Sequence, residues 1–207
     1  LPLPLFLGFI SVLTACEHSS QDTIVQIDER PNIIFIYTDD QGYADIGANQ
    51  VVNDIVTPNI DSLAATGVRM TDGYVTAPPC TPSRAALMAG RYQQSFGVDD
   101  NKYTPFPLDQ PMLAERLSDA GYKTGIVGKW HLKIDQNSKI WYDEIYAPGS
   151  TEPFSTANIP VEEKLKYYPE NRGFQDIFFG FREKYRANFD FNGDTFSPRE
   201  IIVPRFR

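Results

Sequence analysis

Six side chains in three short stretches of the chain have types and spacings that could bind and attack an anionic ester. One stretch carries two adjacent carboxylates, the second a cysteine four residues before an arginine, and the third a lysine two residues before a histidine. Carboxylates bind cations, a cysteine is a source of a nucleophile, and Arg and Lys offer positive charge to an oxyanion. The residues are Asp39, Asp40, Cys80, Arg84, Lys129 and His131.

The two carboxylates directly follow an apolar run. Residues 32–38 are Asn-Ile-Ile-Phe-Ile-Tyr-Thr, which is the pattern of a central parallel strand buried on both faces. Ligands of open α/β sheets bind beyond the carboxyl ends of the strands. Adjacent carboxylates repel each other there unless a cation joins them, and oxygen ligands favour Ca²⁺ or Mg²⁺ over Zn²⁺. The alternative for Asp39 and Asp40 is a solvated turn or a helix cap.

The cysteine directly precedes a segment with the features of a short helix. Ser83 is a candidate cap, residues 85–89 are small or apolar, and Gly90 can end the helix. Cys80 would then lie near the positive end of the helix, with Arg84 about one turn further on, and both features favour an anion. The alternative is a buried structural cysteine.

The lysine and the histidine follow a second apolar run, residues 122–127, for which we also predict a buried strand. In an extended chain positions i and i+2 face the same way, so that Lys129 and His131 can point into one pocket. Two strand ends and a helix N-terminus would then meet at one edge of the sheet. The alternative is a surface lysine beside a packed histidine.

The length and the net charge limit the size of the core and the kinds of partner. At 207 residues the chain can bury one sizeable core, and the two strand ends are interpreted as parts of an open α/β sheet. The net charge of −8 argues against nucleic acid as a partner. It also provides no long-range attraction for an anionic substrate, so that any anion site must be local.

The first residues predict export. Residues 1–15 are uncharged and apolar, too short to span a bilayer, and are interpreted as the core of a signal peptide. Leu-Thr-Ala-Cys at residues 13–16 resembles a bacterial lipobox, in which Cys16 would receive a lipid. Residues 16–30 would form the lipidated cysteine and a polar linker. We therefore expect a membrane-anchored bacterial lipoprotein, periplasmic or on the cell surface; a plain signal peptide cut near Ala15 is the alternative.

The three reactive stretches share a resemblance. Cys-Thr-Pro-Ser-Arg at residues 80–84, followed by Leu87 and Gly90, resembles the signature of the type I sulfatases. Asp-Asp-Gln-Gly-Tyr at residues 39–43 and Gly-Lys-Trp-His-Leu at residues 128–132 resemble two further elements of that family, in the same order. The resemblance covers roughly residues 32–181.

The resemblance implies a set of roles. Cys80 would be oxidised by a formylglycine-generating enzyme to Cα-formylglycine, whose hydrate attacks sulfur. Asp39, Asp40 and the modified residue would bind a divalent cation, Ca²⁺ more than Mg²⁺. Arg84 would stabilise the hydrate, Lys129 would bind sulfate and residue 80, and His131 would assist proton transfer.

The resemblance also implies an architecture. It is the fold of the alkaline phosphatase superfamily, with a mixed, mostly parallel sheet between layers of helices. Residues 31–207 would be the N-terminal part of such a catalytic domain, incomplete at the C-terminal end and inactive alone. Further metal and sulfate ligands would lie downstream in the family pattern.

The expected function is hydrolysis of sulfate esters, on sulfated carbohydrate or aryl sulfate substrates. Two alternatives remain. Relatives with the same signature hydrolyse phosphonate or phosphate esters, because a similar pocket fits both oxyanions. A lipoprotein that binds sulfated glycans without turnover is the second alternative, and the six intact residues argue against it.

Overall fold

The described residues include a sheet of four strands in the order β1-β2-β3-β4. The structure is a computed structural model that describes residues 30–181, 184–190 and 192–202. The signal segment, Cys16 and most of the predicted linker lie outside the described residues. The chain divides into two units, Leu1–Thr38 and Asp39–Arg207. The strands are β1 (Gly125–Gly128), β2 (Asp176–Phe181), β3 (Lys184–Phe189) and β4 (Thr195–Ile202).

Helices and helical turns of the second unit precede β1 and connect it to β2. The long connection after β1 lets β2 return parallel to it, as a crossover connection requires. The α-helices are α1 (Pro58–Thr66), α2 (Cys80–Ala89), α3 (Leu113–Asp119), α4 (Lys139–Trp141) and α5 (Val161–Leu165). A π-helical turn spans Tyr142–Tyr146, and 3₁₀ turns span Tyr43–Asp45, Gly47–Asn49, Gln93–Phe96, Thr156–Asn158 and Pro169–Asn171.

The sheet is mixed. β1 pairs with β2 in parallel, with Ile126 opposite Ile177, whereas β2 with β3 and β3 with β4 are antiparallel pairs. Short connections join the antiparallel strands, and this is the topology that hairpins allow. The expectation of a mixed α/β fold is therefore confirmed.

One hydrophobic core holds α2 and the segment after β1 against the sheet. Trp130 and Leu132, which flank His131, are almost fully buried in it, together with Ile177 and Phe179 of β2. The burial of Trp130 and Leu132 anchors the backbone on both sides of His131. The remaining buried members are Ala85, Val98, Phe106 and Met112.

Helix α2 begins at Cys80 itself. Pro79 is its N-cap residue, and Gly90 ends it with a φ of 66°, donating its backbone N–H to the carbonyls of Ala86 and Leu87. The predicted end at Gly90 is confirmed. The predicted cap at Ser83 is wrong: Ser83 lies inside the first turn and is buried, with its N–H bonded to the carbonyl of Pro79.

Residues 32–38 differ from the prediction. The structure assigns them no strand, and Ile34 is 86% exposed and Ile36 77% exposed. The expectation of a central strand buried on both faces is therefore wrong for the described chain. An apolar run reports only a preference for burial, whereas a strand also needs a neighbouring strand to supply its ladder of hydrogen bonds.

The second predicted strand forms, but it is not buried on both faces. β1 has β2 as its sole partner among the described strands, and Val127 is 76% exposed. The apolar pattern identified the strand correctly and its burial wrongly, because burial depends on what packs on each face. Within the described residues, no helix is long and apolar enough to cross a membrane.

Candidate active site

Asp39 lies at the centre of a cluster of reactive side chains. The ammonium group of Lys129 donates to both of its carboxylate oxygens, at 3.1 Å and 3.0 Å, and a guanidinium nitrogen of Arg84 lies 3.3 Å from Oδ1. The Sγ atom of Cys80 lies 4.0 Å from the same oxygen. Four of the six predicted residues therefore meet, although up to 90 positions separate them in sequence.

Arg84 is held in place by the backbone as well as by this acid. Its other terminal nitrogen donates to the carbonyl oxygen of Lys129 at 2.8 Å, and its side chain is only 11% exposed. The contact joins α2 directly to the segment after β1. Arg84 therefore fixes the distance between the helix that carries Cys80 and the turn that carries Lys129.

Cys80 occupies the first residue of α2 and is a free cysteine. The Lys129 ammonium lies 3.3 Å from its Sγ atom. The next residue is anchored on both sides: the Thr81 N–H donates to Oδ1 of Asn101, and its hydroxyl donates to the carbonyl of His131. The position of residue 80 is therefore set by the helix start and by two loops.

Asp39, Asp40 and Cys80 form a group that could hold a metal ion, since their ligand atoms all lie within 4.8 Å of one another. Neighbouring side chains of an extended chain point in opposite directions, which would separate the two carboxylates. Asp40 has a φ of 57°, in the left-handed region, and this turn of the backbone accompanies the convergence of the two groups. Carboxylate oxygens suit Ca²⁺ or Mg²⁺, so the donor set fits the expected cation.

His131 lines the same cleft as Lys129, but for a different reason than predicted. Its φ of 58° shows that the chain is not extended there, so the i, i+2 argument does not apply. The imidazole Nε2 lies 3.8 Å from Oδ2 of Asp135. Its Nδ1 is buried without a hydrogen-bond partner among the described residues. The site thus brings five predicted side chains into contact range and places His131 beside them.

Comparison with known proteins assigns the family. The family model described as Sulfatase matches residues 31–194, which is most of the chain. The chain belongs to the sulfatase family. The sulfatase signature at residues 80–84 and both accompanying elements lie inside the matched range.

Individual relatives agree. The chain is 48% identical over 109 residues to arylsulfatase A of Bos taurus, an alignment that covers 50% of this chain and 21% of that protein. It is 40% identical over 136 residues to the N-acetylgalactosamine-6-O-sulfatase of Bacteroides thetaiotaomicron, covering 64% of this chain and 26% of the relative. The sulfatase chain thus spans about a quarter of the length of these relatives.

A solved structure supports the same fold. It comes from work on the metabolism of multiple glycosaminoglycans by Bacteroides thetaiotaomicron, and it superimposes with a TM-score of 0.54 at 27% identity. The match covers 79% of this chain and 33% of that one. The expected sulfatase-type α/β architecture is therefore confirmed for the matched region.

The charges of the sulfatase cluster stabilise one another. Burial acts to raise the pKa of Asp39, but the hydrogen bond and charge of Lys129, with the charge of Arg84, outweigh it and hold the pKa below its usual value. Burial acts to lower the pKa of Lys129, but its hydrogen bonds to Asp39 and Cys80 raise it above the usual value. Both groups therefore remain charged at neutral pH.

The histidine is neutral at neutral pH. Burial is the largest influence and lowers the pKa of His131; the positive charges of Lys129 and Arg84 lower it further, while Asp135 and Asp39 oppose the shift. The imidazole is therefore available as a proton acceptor above its ordinary pKa of about 6.5.

Sequence reasoning missed Asp135, which faces this histidine. Its Oδ1 accepts hydrogen bonds from the backbone N–H of Asn137 at 2.7 Å and from the hydroxyl of Thr104 at 3.2 Å, and its N–H donates to Ser138. These contacts leave Oδ2 towards His131. The separation of four residues in an irregular segment carries no motif, so only the folded arrangement reveals the pair.

Replacement of Asp135 by asparagine is expected to move the acid limb of the pH–rate profile to lower pH by about one unit. The substitution removes a negative charge that raises the pKa of His131, and keeps an oxygen for Thr104 and Asn137. The measurement is kcat/KM against pH for a sulfate ester. Asp143→Asn, an exposed acid that pairs with Lys139, serves as control. Equal loss of activity at every pH would instead assign Asp135 a purely structural role.

Proposed function

We propose that the protein hydrolyses sulfate esters and that Cys80 is the precursor of the nucleophile. The observation that carries the proposal is the Lys129 ammonium, which contacts Cys80 Sγ at 3.3 Å and also both oxygens of Asp39. A reactive residue, a cation-binding acid and two positive side chains thus share one small site. Membership of the sulfatase family supports the same reaction.

Two groups implied by the family would complete this site. A divalent cation supplies Lewis acidity, and Cα-formylglycine, formed from Cys80, supplies the nucleophilic oxygen. Asp39, Asp40 and residue 80 would hold the cation. An oxygen at the position of the Cys80 sulfur makes the donor set uniformly hard, which suits Ca²⁺ better than a thiolate does.

Arg84 and Lys129 supply positive charge where the sulfate group would lie. Each bridges Asp39 and a second group, so neither side chain has to be ordered when the substrate arrives. Preorganised charges of this kind stabilise a developing oxyanion more than they stabilise the free ester. The N-terminus of the ten-residue helix α2, at Cys80, adds to the positive potential.

His131 would exchange a proton with the reacting groups. Its pKa lies below the usual value, so the ring is neutral at working pH and can accept a proton. Nε2 lies 3.8 Å from Oδ2 of Asp135, and Nδ1 is buried without a hydrogen-bond partner among the described residues.

The substrate class we propose is sulfated carbohydrate. A relative 40% identical to this chain is named as an N-acetylgalactosamine-6-O-sulfatase, and the superimposed structure comes from work on glycosaminoglycan metabolism. The proposed export would also favour this class, because such polymers occur outside the cytoplasm. We propose in addition that Cys16 is lipidated and anchors the protein to a bacterial membrane; its side chain lies outside the described residues.

The decisive comparison is between an aryl sulfate and the matching aryl phosphate. The complete natural reading frame around this chain is expressed with a formylglycine-generating enzyme, and kcat/KM is measured for both esters. We expect the sulfate to be preferred by at least about tenfold, a difference of about 1.4 kcal/mol in transition-state binding. Preference for the phosphate would assign the site to phosphate ester hydrolysis. Binding of sulfated glycans without turnover of either ester would indicate a glycan-binding protein without catalytic activity.

A further inference from the structure

A cleft of about 570 Å³ opens beside the candidate active site. Lys129 and His131 line it together with residues that have no role in the proposed reaction, among them Lys133, Lys164 and Arg186. Its size is within the range of small-ligand sites, and it is continuous with the place where a sulfate ester would bind.

The cleft carries an excess of positive charge. Lys129, Lys133, Lys164 and Arg186 line it, against the acids Asp135 and Glu200. Of the cations, Lys129 is engaged by Asp39, and Arg186 donates to Glu170 at 2.5 Å. Lys133 and Lys164 make no ion pair with any residue that the structure describes.

Lys133 shares an aromatic ring with a second cation of the cleft. Its ammonium lies 5.2 Å from the centre of the Tyr168 ring, and the guanidinium of Arg186 lies 5.5 Å from the same centre. The ring is itself fixed edge-to-face against Phe179, at 5.6 Å between centres. One tyrosine thus holds two cations at the wall of the cleft, a placement that brings like charges together.

Two cations around one ring repel each other unless an anion joins them. Burial is the largest influence and lowers the pKa of Lys133, and Arg186 adds to this shift. The charges of Asp135, Glu200 and Glu170 oppose the shift but offset the cost of burial only in part. An anionic ligand would remove this cost. A fully solvated lysine would have no reason to be held against the half-buried ring of Tyr168 beside an arginine.

We propose that this cleft is a subsite for a second anionic group of the substrate. The protein would then prefer a glycan that carries negative charge, a uronate carboxylate or another sulfate, on the sugar next to the sulfated one. The inference rests on the proposed function, because the scissile sulfate is assumed to lie at Lys129 and Cys80. Lys133 contributes the charge, and Tyr168 and Arg186 position it.

The test compares binding of a singly charged and a doubly charged ligand. Titration calorimetry is performed with the Cys80→Ala form of the complete protein, which does not convert the ligands. The probes are N-acetylgalactosamine 6-sulfate, the disaccharide in which the same sugar is linked to a uronic acid, and a disulfated disaccharide without a carboxylate. We expect at least one disaccharide to bind about tenfold more tightly than the monosaccharide, and the two arms distinguish carboxylate from sulfate.

The variant Lys133→Met in the same background should remove this tenfold advantage and change binding of the monosaccharide less than about twofold. Lys133→Arg, which keeps the charge, should restore most of it. Lys139→Met is the matched control, since Lys139 is exposed and lies outside the cleft. If the melting temperature shows that Lys133→Met does not fold, Lys164→Met takes its place, and the same loss of the tenfold advantage is expected.

Two outcomes would overturn the subsite. One is equal weakening of all three ligands by Lys133→Met, and the other is no weakening at all. Failure of the proposed function is seen separately, as a wild-type protein that hydrolyses no sulfate ester. If such a protein still binds the doubly charged ligands more tightly than the singly charged one, the result supports the subsite and contradicts the proposed reaction.

Discussion

The Cys80→Ala variant is expected to lose at least about 10³-fold in kcat/KM on any sulfate ester. Alanine has no sulfur to convert, so no nucleophilic oxygen can form at residue 80. Arg84, Lys129 and Asp39 remain, and they still contact one another because none depends on the cysteine for its position. The variant should therefore bind substrate analogues but not turn them over, which steady-state kinetics and calorimetry measure.

The matched control is Cys16→Ala, which removes the other cysteine of the chain. It should lose lipid attachment and keep its catalytic rate. Equal rates for Cys80→Ala and wild type, after both have been shown to fold, would exclude Cys80 as the precursor of the nucleophile.

The second large effect is expected for Asp39→Asn. This substitution removes one of the two carboxylates that the described residues offer to the predicted cation, and it also removes the anion that holds Lys129 and Arg84. We expect at least about a 100-fold loss in Ca²⁺ affinity and a similar loss in activity. Activity is titrated with Ca²⁺ after chelation with EGTA.

Asp54→Asn is the control, because Asp54 is exposed and outside the cluster. Wild-type activity should vanish on chelation and return with Ca²⁺. Activity that survives chelation in both the wild type and Asp39→Asn would contradict a cation at this position and leave Asp39 as a partner of Lys129 and Arg84 alone.

The sequence predicted which residues form the site better than it predicted the backbone geometry that brings them together. Cys80, Arg84 and Lys129 were identified from residue types and spacing, and the structure brings them together at Asp39. Left-handed backbone at Asp40 and His131 is invisible in a residue pattern, since neither is glycine. The same holds for Asp135, whose relation to His131 exists only after folding.

Burial was the weakest part of the prediction. The apolar residues 33–36 and Val127 are predicted to be buried, yet the structure exposes them. Periodicity describes what a segment can bury, and the neighbours that bury it lie elsewhere in the sequence. The C-terminal end of α2 could be predicted, because glycine adopts the left-handed conformation of Gly90 easily. The N-terminal end could not: Pro79 is the N-cap residue, in place of the predicted Ser83.

The central claim, that Cys80 is converted to the nucleophile of a sulfatase, is tested most directly by the mass of one tryptic peptide. Trypsin releases residues 70–84, which contain Cys80, from protein produced together with a formylglycine-generating enzyme. We predict a peptide in which the cysteine has become Cα-formylglycine. An unmodified cysteine, in cells that convert a control sulfatase, would contradict the account.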